Sequence, residues 1–158
     1  MPSYWNPWHG CIKHSDGCKL IGCTVENQAL ADYRLPIFNE LPIKHKVIII
    51  APMLEKMDIS AYLNEEILEV ATSGESGIEA RILDYNWILD IRRQCVEKDI
   101  PFCFHQTGAK LVKDDKLYRI HRYHQISQAN KANINYKLRR DFERDLKTEK
   151  ICSQLKFF

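Results

Sequence analysis

Lys46-Val47-Ile48-Ile49-Ile50-Ala51 is an apolar run entered by one lysine and closed by Pro52. A run this short and this rich in β-branched residues reads as a strand buried on both faces, the kind found inside a parallel sheet. Three more β-rich runs flank it: Ile21–Val25 upstream, then Ile67–Thr72 and Pro101–His105 downstream. The last is also apolar enough for burial on both faces. Between them the spacing turns helical, most clearly over Asp84 to Lys98, where Trp87, Ile88, Ile91 and Cys95 share a face and Asp84 is placed to cap the N-terminus. Weaker helices are expected over Gln28–Phe38 and Met57–Leu63, shortened by Pro36 and flanked by Pro42 and Pro52.

Strand and helix therefore alternate through four strands, the pattern of stacked βαβ units with right-handed crossovers. Four such units amount to half of a TIM-type parallel barrel, so the expected fold class is α/β, a partial barrel over residues 21–108. Residues 1–20 precede it as a cysteine-bearing segment. Residues 109–158 follow as a different object: Lys110–Val112 and Leu117–Ile120 read as a β-hairpin around Asp114-Asp115, and Gln125 to about Leu155 as one long polar helix. The charge also divides there, with 10 Lys/Arg against 15 Asp/Glu in residues 1–108 and 13 against 6 afterwards.

At 158 residues and 45% hydrophobic content the chain supports one core. It has no apolar run of roughly 18 residues and no signal-peptide order at its start, so no membrane segment is expected and a cytoplasmic location is. The six cysteines then read as thiols or metal ligands rather than a disulfide framework. Ser73-Gly74-Glu75-Ser76-Gly77 is too short for a phosphate-binding loop.

Parallel α/β folds bind ligands at the carboxyl ends of their strands, where loops converge on one opening. The residues expected there are Glu26 and Asn27 after the first strand, Glu55 after the second, Glu75 and Ser76 after the third, and Gln106 after the fourth. Carboxylates bind cations or amines, and the amides orient a base or another amide. The plainer alternative is that polar residues only mark where strands stop. An Arg81–Glu75 pair, for example, would leave both residues structural. No catalytic residue can be assigned. Cys11 and Cys18 bracket a polar loop suited to an iron–sulfur cluster or zinc, and Cys23 is the nearest third thiolate, with His9 and His14 at hand. As an alternative, Cys23 is only a small buried hydrophobe in the first strand.

Trp5-Asn6-Pro7-Trp8-His9-Gly10-Cys11, followed by Lys13, Ser15 and Gly17-Cys18-Lys19, resembles the opening of a phage-type family of unknown function with a three-cysteine motif. That motif is similar to the cluster loop of radical S-adenosylmethionine (SAM) enzymes. The likeness continues through Gly22-Cys23-Thr24-Val25-Glu26-Asn27-Gln28, Leu35-Pro36-Ile37, Gly74-Glu75-Ser76-Gly77 and Pro101-Phe102-Cys103-Phe104, then His105-Gln106-Thr107-Gly108, with His105 where a lysine is usual.

The resemblance implies a [4Fe–4S] cluster whose open iron binds SAM, and a partner protein encoded by a neighbouring gene. The family's third cysteine falls at Ile21, and the first barrel strands that follow it are missing, which an internal deletion explains. The expectation is an iron–sulfur relative impaired in catalysis. Competing with it is a non-catalytic module. Such a module would bind nucleic acid through Lys131, Lys137, Arg139, Arg140, Arg144, Lys147 and Lys150 with Tyr118, Tyr123 and Tyr136, or zinc through the cysteines and a histidine. An open half-barrel also leaves two strand edges unpaired, which predicts self-association.

Overall fold

The computed structural model describes residues 12–13 and 19–137. Its centre is a five-stranded sheet in the order β1-β2-β3-β4-β6, where β1 is Ile12–Lys13, β2 Lys19–Thr24, β3 His45–Ile50, β4 Ile67–Ser73 and β6 Phe102–Gln106. The last four strands are mutually parallel, and each lies beside the next in sequence. This is a mixed α/β architecture on a four-strand parallel sheet, and among the described residues the sheet does not close into a barrel.

One face of the sheet is fully covered. Val25, Ile48, Ile50, Val70, Phe102 and Phe104 form the core with Ala31, Leu35 and Phe38 of α1 (Gln28–Glu40) and with Ile88, Ile91 and Cys95 of α2 (Tyr85–Glu97). Helix α2 starts as its sequence predicts, with the Asp84 carboxylate accepting from the Asn86 amide. Of the two runs expected to be buried on both faces, β6 is, with Phe102, Cys103 and Phe104 buried in succession, but β3 is not. Burial alternates along β3, so Val47 and Ile49 are only half-buried. The apolar run reads as two-faced burial, but α1 and α2 cover one face only.

Other boundaries also need correction. Helix α1 passes through Pro36 and ends at Glu40, two residues beyond the expected Phe38. Pro36 and Asp32 are both exposed, so the Asp32 carbonyl that the proline leaves without a donor is open to water, while Leu35 and Phe38 anchor the helix on the buried side. Met57–Leu63 is not a helix but an extended loop with one 3-10 turn at Ser60–Tyr62. Its backbone is held by side chains instead. Gln94 of α2 accepts from the Ile59 amide at 2.7 Å and donates to the Met57 carbonyl at 3.1 Å. Gln28 of α1 does the same for the Asp58 amide and carbonyl. Met57, Ile59 and Leu63 still reach the core.

The hairpin forms as expected from β7 (Lys110–Lys113) and β8 (Lys116–Arg119), with Asp114 and Asp115 both at positive φ as a two-residue type I′ turn requires. It joins a second sheet through β5 (Leu83–Asp84), which pairs with β7. The expected C-terminal helix is interrupted: α3 spans Gln125–Lys131 and Asn133 at φ 50° turns the chain back, while the part of that helix expected over 138–155 lies outside the described residues. Tyr136 then bridges Phe102, exchanging both backbone hydrogen bonds, and the Asn135 side chain accepts from the Phe104 amide. Both sheet edges are therefore partly covered, β6 by this return and β2 by β1 at Leu20 and Lys19. The expectation of two unpaired edges is corrected accordingly.

Candidate functional site

Backbone hydrogen bonds stitch the first residues beyond the strands into one rim. The Leu54 amide donates to Glu26, Met53 to Ser73, Gly74 to Gln106, and Ala109 to Glu75, at 2.8–3.1 Å. Parallel strands in register deliver this result, since Thr24, Ile49 and Ala71 are lateral neighbours, as are Ile50, Thr72 and Phe104. Glu26, Asn27, Glu55, Glu75 and Ser76 thus follow strand ends, and Gln106 closes β6, all on the carboxyl side of the sheet.

Most of these polar groups are already engaged. Asn27 caps α1, its side-chain oxygen accepting from the Leu30 amide at 2.9 Å. Glu55 accepts from the Gln28 amide at 2.7 Å, so a carboxylate joins the Asn27 amide oxygen in satisfying the same helix end. Glu26 lies 3.4 Å from Arg34, whose guanidinium also donates to the Thr24 carbonyl. Glu75 takes a two-pronged contact from the Arg81 guanidinium at 2.9 and 3.0 Å plus the Arg81 amide. Those donors hold the Glu75 carboxyl down at about 2. Gln106 donates to the Gly74 carbonyl at 3.1 Å, and Ser76 is exposed in the loop. The rim therefore holds itself together with the groups expected to greet a ligand.

The thiols divide by location. Cys11 and Cys18, with His9 and His14, lie outside the described residues. Cys23 is 6% exposed and sits in the core beside Ile48, on the helix-covered face. Burial pushes its thiol up to about 11, against thiolate formation. Ile21 is inside β2, paired with Lys46. Cys95 and Cys103 are buried and in no disulfide, Cys95 pushed up to about 12 by the same desolvation. Among the described residues no three His, Cys, Asp or Glu side chains converge as a metal site. No described helix is long and apolar enough to cross a membrane. Of the basic tail, Lys131 and Lys137 are described, and Lys137 is paired with Asp99 at 2.6 Å. Arg139, Arg140, Arg144, Lys147 and Lys150 lie outside.

Sequence reading missed a cleft between the hairpin and α3. It encloses about 300 Å³ between Tyr85, Phe104, Leu111, Tyr118, Gln128 and Lys131. A neighbouring hollow of about 390 Å³ shares Tyr118, Ile120 and Gln128 with it. The clustering of Lys and Tyr in residues 110–123 was the available signal, but the position of the cleft depends on where α3 ends.

No curated protein and no solved structure matches the sequence. A match does exist to a family described as protein of unknown function (DUF5131), over residues 19–144, which takes in the four parallel strands, both long helices, the hairpin and α3. The chain belongs to that family.

Proposed function

We propose that this chain is an internally deleted relative of a radical-SAM-like iron–sulfur protein of phage or bacterial origin, keeping half of a TIM-type barrel and impaired in catalysis. Support for the half-barrel comes from strand order: four consecutive parallel strands, each beside its successor, with their outgoing loops gathered on one rim. Support for the ancestry comes from the likeness of residues 5–19 to a three-cysteine cluster loop.

The observation that carries the impairment is the position of Cys23. A cluster with one open iron takes three thiolates from the protein, and beyond Cys11 and Cys18 the local choices are Ile21 and Cys23. Ile21 has no ligand atom. Cys23 faces the core, and turning it outward would pull the middle of β2 out of the sheet at a cost of several kcal/mol in lost apolar burial, at ~25 cal/mol per Å². The residues present therefore do not fit the cluster, and no chemical step runs through it. The same burial removes Cys23 from a zinc set.

A cytoplasmic location, a neighbouring-gene partner and self-association belong to this reading. The half-buried sheet face with Val47, Ile49 and Ala71 is where a partner or second copy is expected to sit. Anaerobic reconstitution with iron and sulfide tests the proposal. It should give well under the full complement of iron and no broad visible absorbance. Four irons per chain, lost in Cys23→Ala, would overturn it.

A further inference from the structure

The cleft between the hairpin and α3 is unlike the rim. Its floor is apolar, made by Phe104, Leu111 and Ile120, and its walls are two tyrosines, Tyr85 and Tyr118. Each ring has a lysine ammonium over it: Lys113 at 5.0 Å from the Tyr85 centroid and Lys116 at 5.3 Å from that of Tyr118. Lys131 stands at the margin, and among the described residues no acidic side chain lines either hollow. Across residues 109–137 there are seven Lys/Arg against two Asp, and both Asp sit at the tip of the hairpin turn.

The second hollow continues the first through Tyr118 and adds Arg119, His121 and His124. Above it His121 lies 5.1 Å from the Tyr123 ring and 6.4 Å from that of His124, and Tyr123 is 85% exposed. Two adjoining compartments, each with aromatic rings and cations, repeat the needs of a flat apolar ring attached to an anionic backbone.

We infer that this cleft binds single-stranded nucleic acid, seating consecutive bases against Tyr118 and the His121/Tyr123 pair with phosphates on Lys113, Lys116, Arg119 and Lys131. A hollow of about 300 Å³ has room for one unstacked base. A lone mononucleotide would fill only one of the two compartments. Tyrosine stacking is indifferent to base identity, so binding should be weakly sequence-dependent and strongly salt-dependent.

Fluorescence anisotropy on the full chain tests this with a labelled oligothymidylate about 12 nucleotides long, several times the span of one compartment. Affinity should fall about 50-fold between 50 and 200 mM salt, as four phosphate contacts to a single strand require. Tyr118→Ala should weaken binding about tenfold while Tyr118→Phe stays within about twofold, because the ring and not the hydroxyl does the stacking. Lys113→Gln combined with Lys131→Gln should flatten the salt dependence. Circular dichroism melts confirm that each variant folds, and Lys113→Gln, at an exposed position, supplies a readout if Tyr118→Ala does not. The inference is overturned if the cleft variants bind like the unchanged protein, if a duplex binds equally well, or if a mononucleotide competes equally per nucleotide.

Discussion

Gly74 and Gly108 touch backbone to backbone, locking the loop after β4 against the loop after β6. A β-carbon on Gly74 would lie 2.5 Å from the Thr107 carbonyl oxygen, and one on Gly108 would lie 2.8 Å from the Glu75 backbone. Gly108 also sits at φ +73°, where an L side chain is strained. Neither contact can be relieved by a rotamer change. Gly74→Ala should therefore cost about 1–3 kcal/mol in urea denaturation. Gly77→Ala, with nothing within 4 Å, should be neutral or slightly stabilising. Equal midpoints for the two variants would contradict the clasp.

The Glu75–Arg81 contact predicts a pH signature. The folded carboxyl lies at about 2 against an ordinary 4.5. Its contribution is thus fully present above 4.5 and is lost as pH falls through that value toward about 2. Both groups are well exposed, with 32% and 60% of their side-chain surface open, so solvent screening limits the pair to about 0.2–1 kcal/mol. In Arg81→Ala the Glu75 carboxyl should titrate higher than it does now but still below its ordinary value, since the backbone amide of residue 81 goes on donating to it, as NMR of the side-chain carbon would show. An unchanged titration curve would mean that Arg81 does not hold it.

Gln94 is 4% exposed and satisfies both an amide and a carbonyl of the Met57–Ile59 stretch. Gln94→Leu preserves bulk but strands two buried backbone groups, an expected loss of about 2–4 kcal/mol. Amide exchange at Ile59 should quicken more than exchange at Ile48 of β3. Uniform quickening would indicate general loosening instead.

Lys46 is fully buried, with its ammonium on Glu66 and on the Asn39 carbonyl at 2.9 Å. Glu66→Ala leaves that charge half-answered and should destabilise by about 1–3 kcal/mol, less than for a fully buried pair because Glu66 is 42% exposed. Lys46→Met removes the charge and keeps the stem, so thermal melts should place it above Glu66→Ala. The reverse order would refute this account of the pair.

The strands were legible because their apolar runs are short and closed by Pro52 or by polar loops, and α2 because Asp84 and the Ile88/Ile91/Cys95 spacing agree. Met57–Leu63 was misread for a physical reason: its buried apolar residues suit a helix, but the hydrogen bonds are supplied by Gln28 and Gln94 from 30 and 35 residues away. Such tertiary partners leave no local trace. The end of α3 was equally hidden, since the β6 edge that Tyr136 and Asn135 fill lies more than 30 residues upstream. Along the rim, strand order announced where Glu26, Glu55, Glu75 and Gln106 would gather. The Arg81–Glu75 pair was also foreseeable and is present, but strand order could not announce that Arg34, Gln28 and Gly74 would engage the others.

The most direct test of the account is whether the reconstituted chain cleaves SAM. Under anaerobic conditions with dithionite, the account predicts no 5′-deoxyadenosine above that formed without protein, detected by mass spectrometry, because two matched cysteines and a core-facing Cys23 do not assemble the required cluster. Formation of 5′-deoxyadenosine with consumption of SAM, abolished in Cys11→Ala, would contradict it.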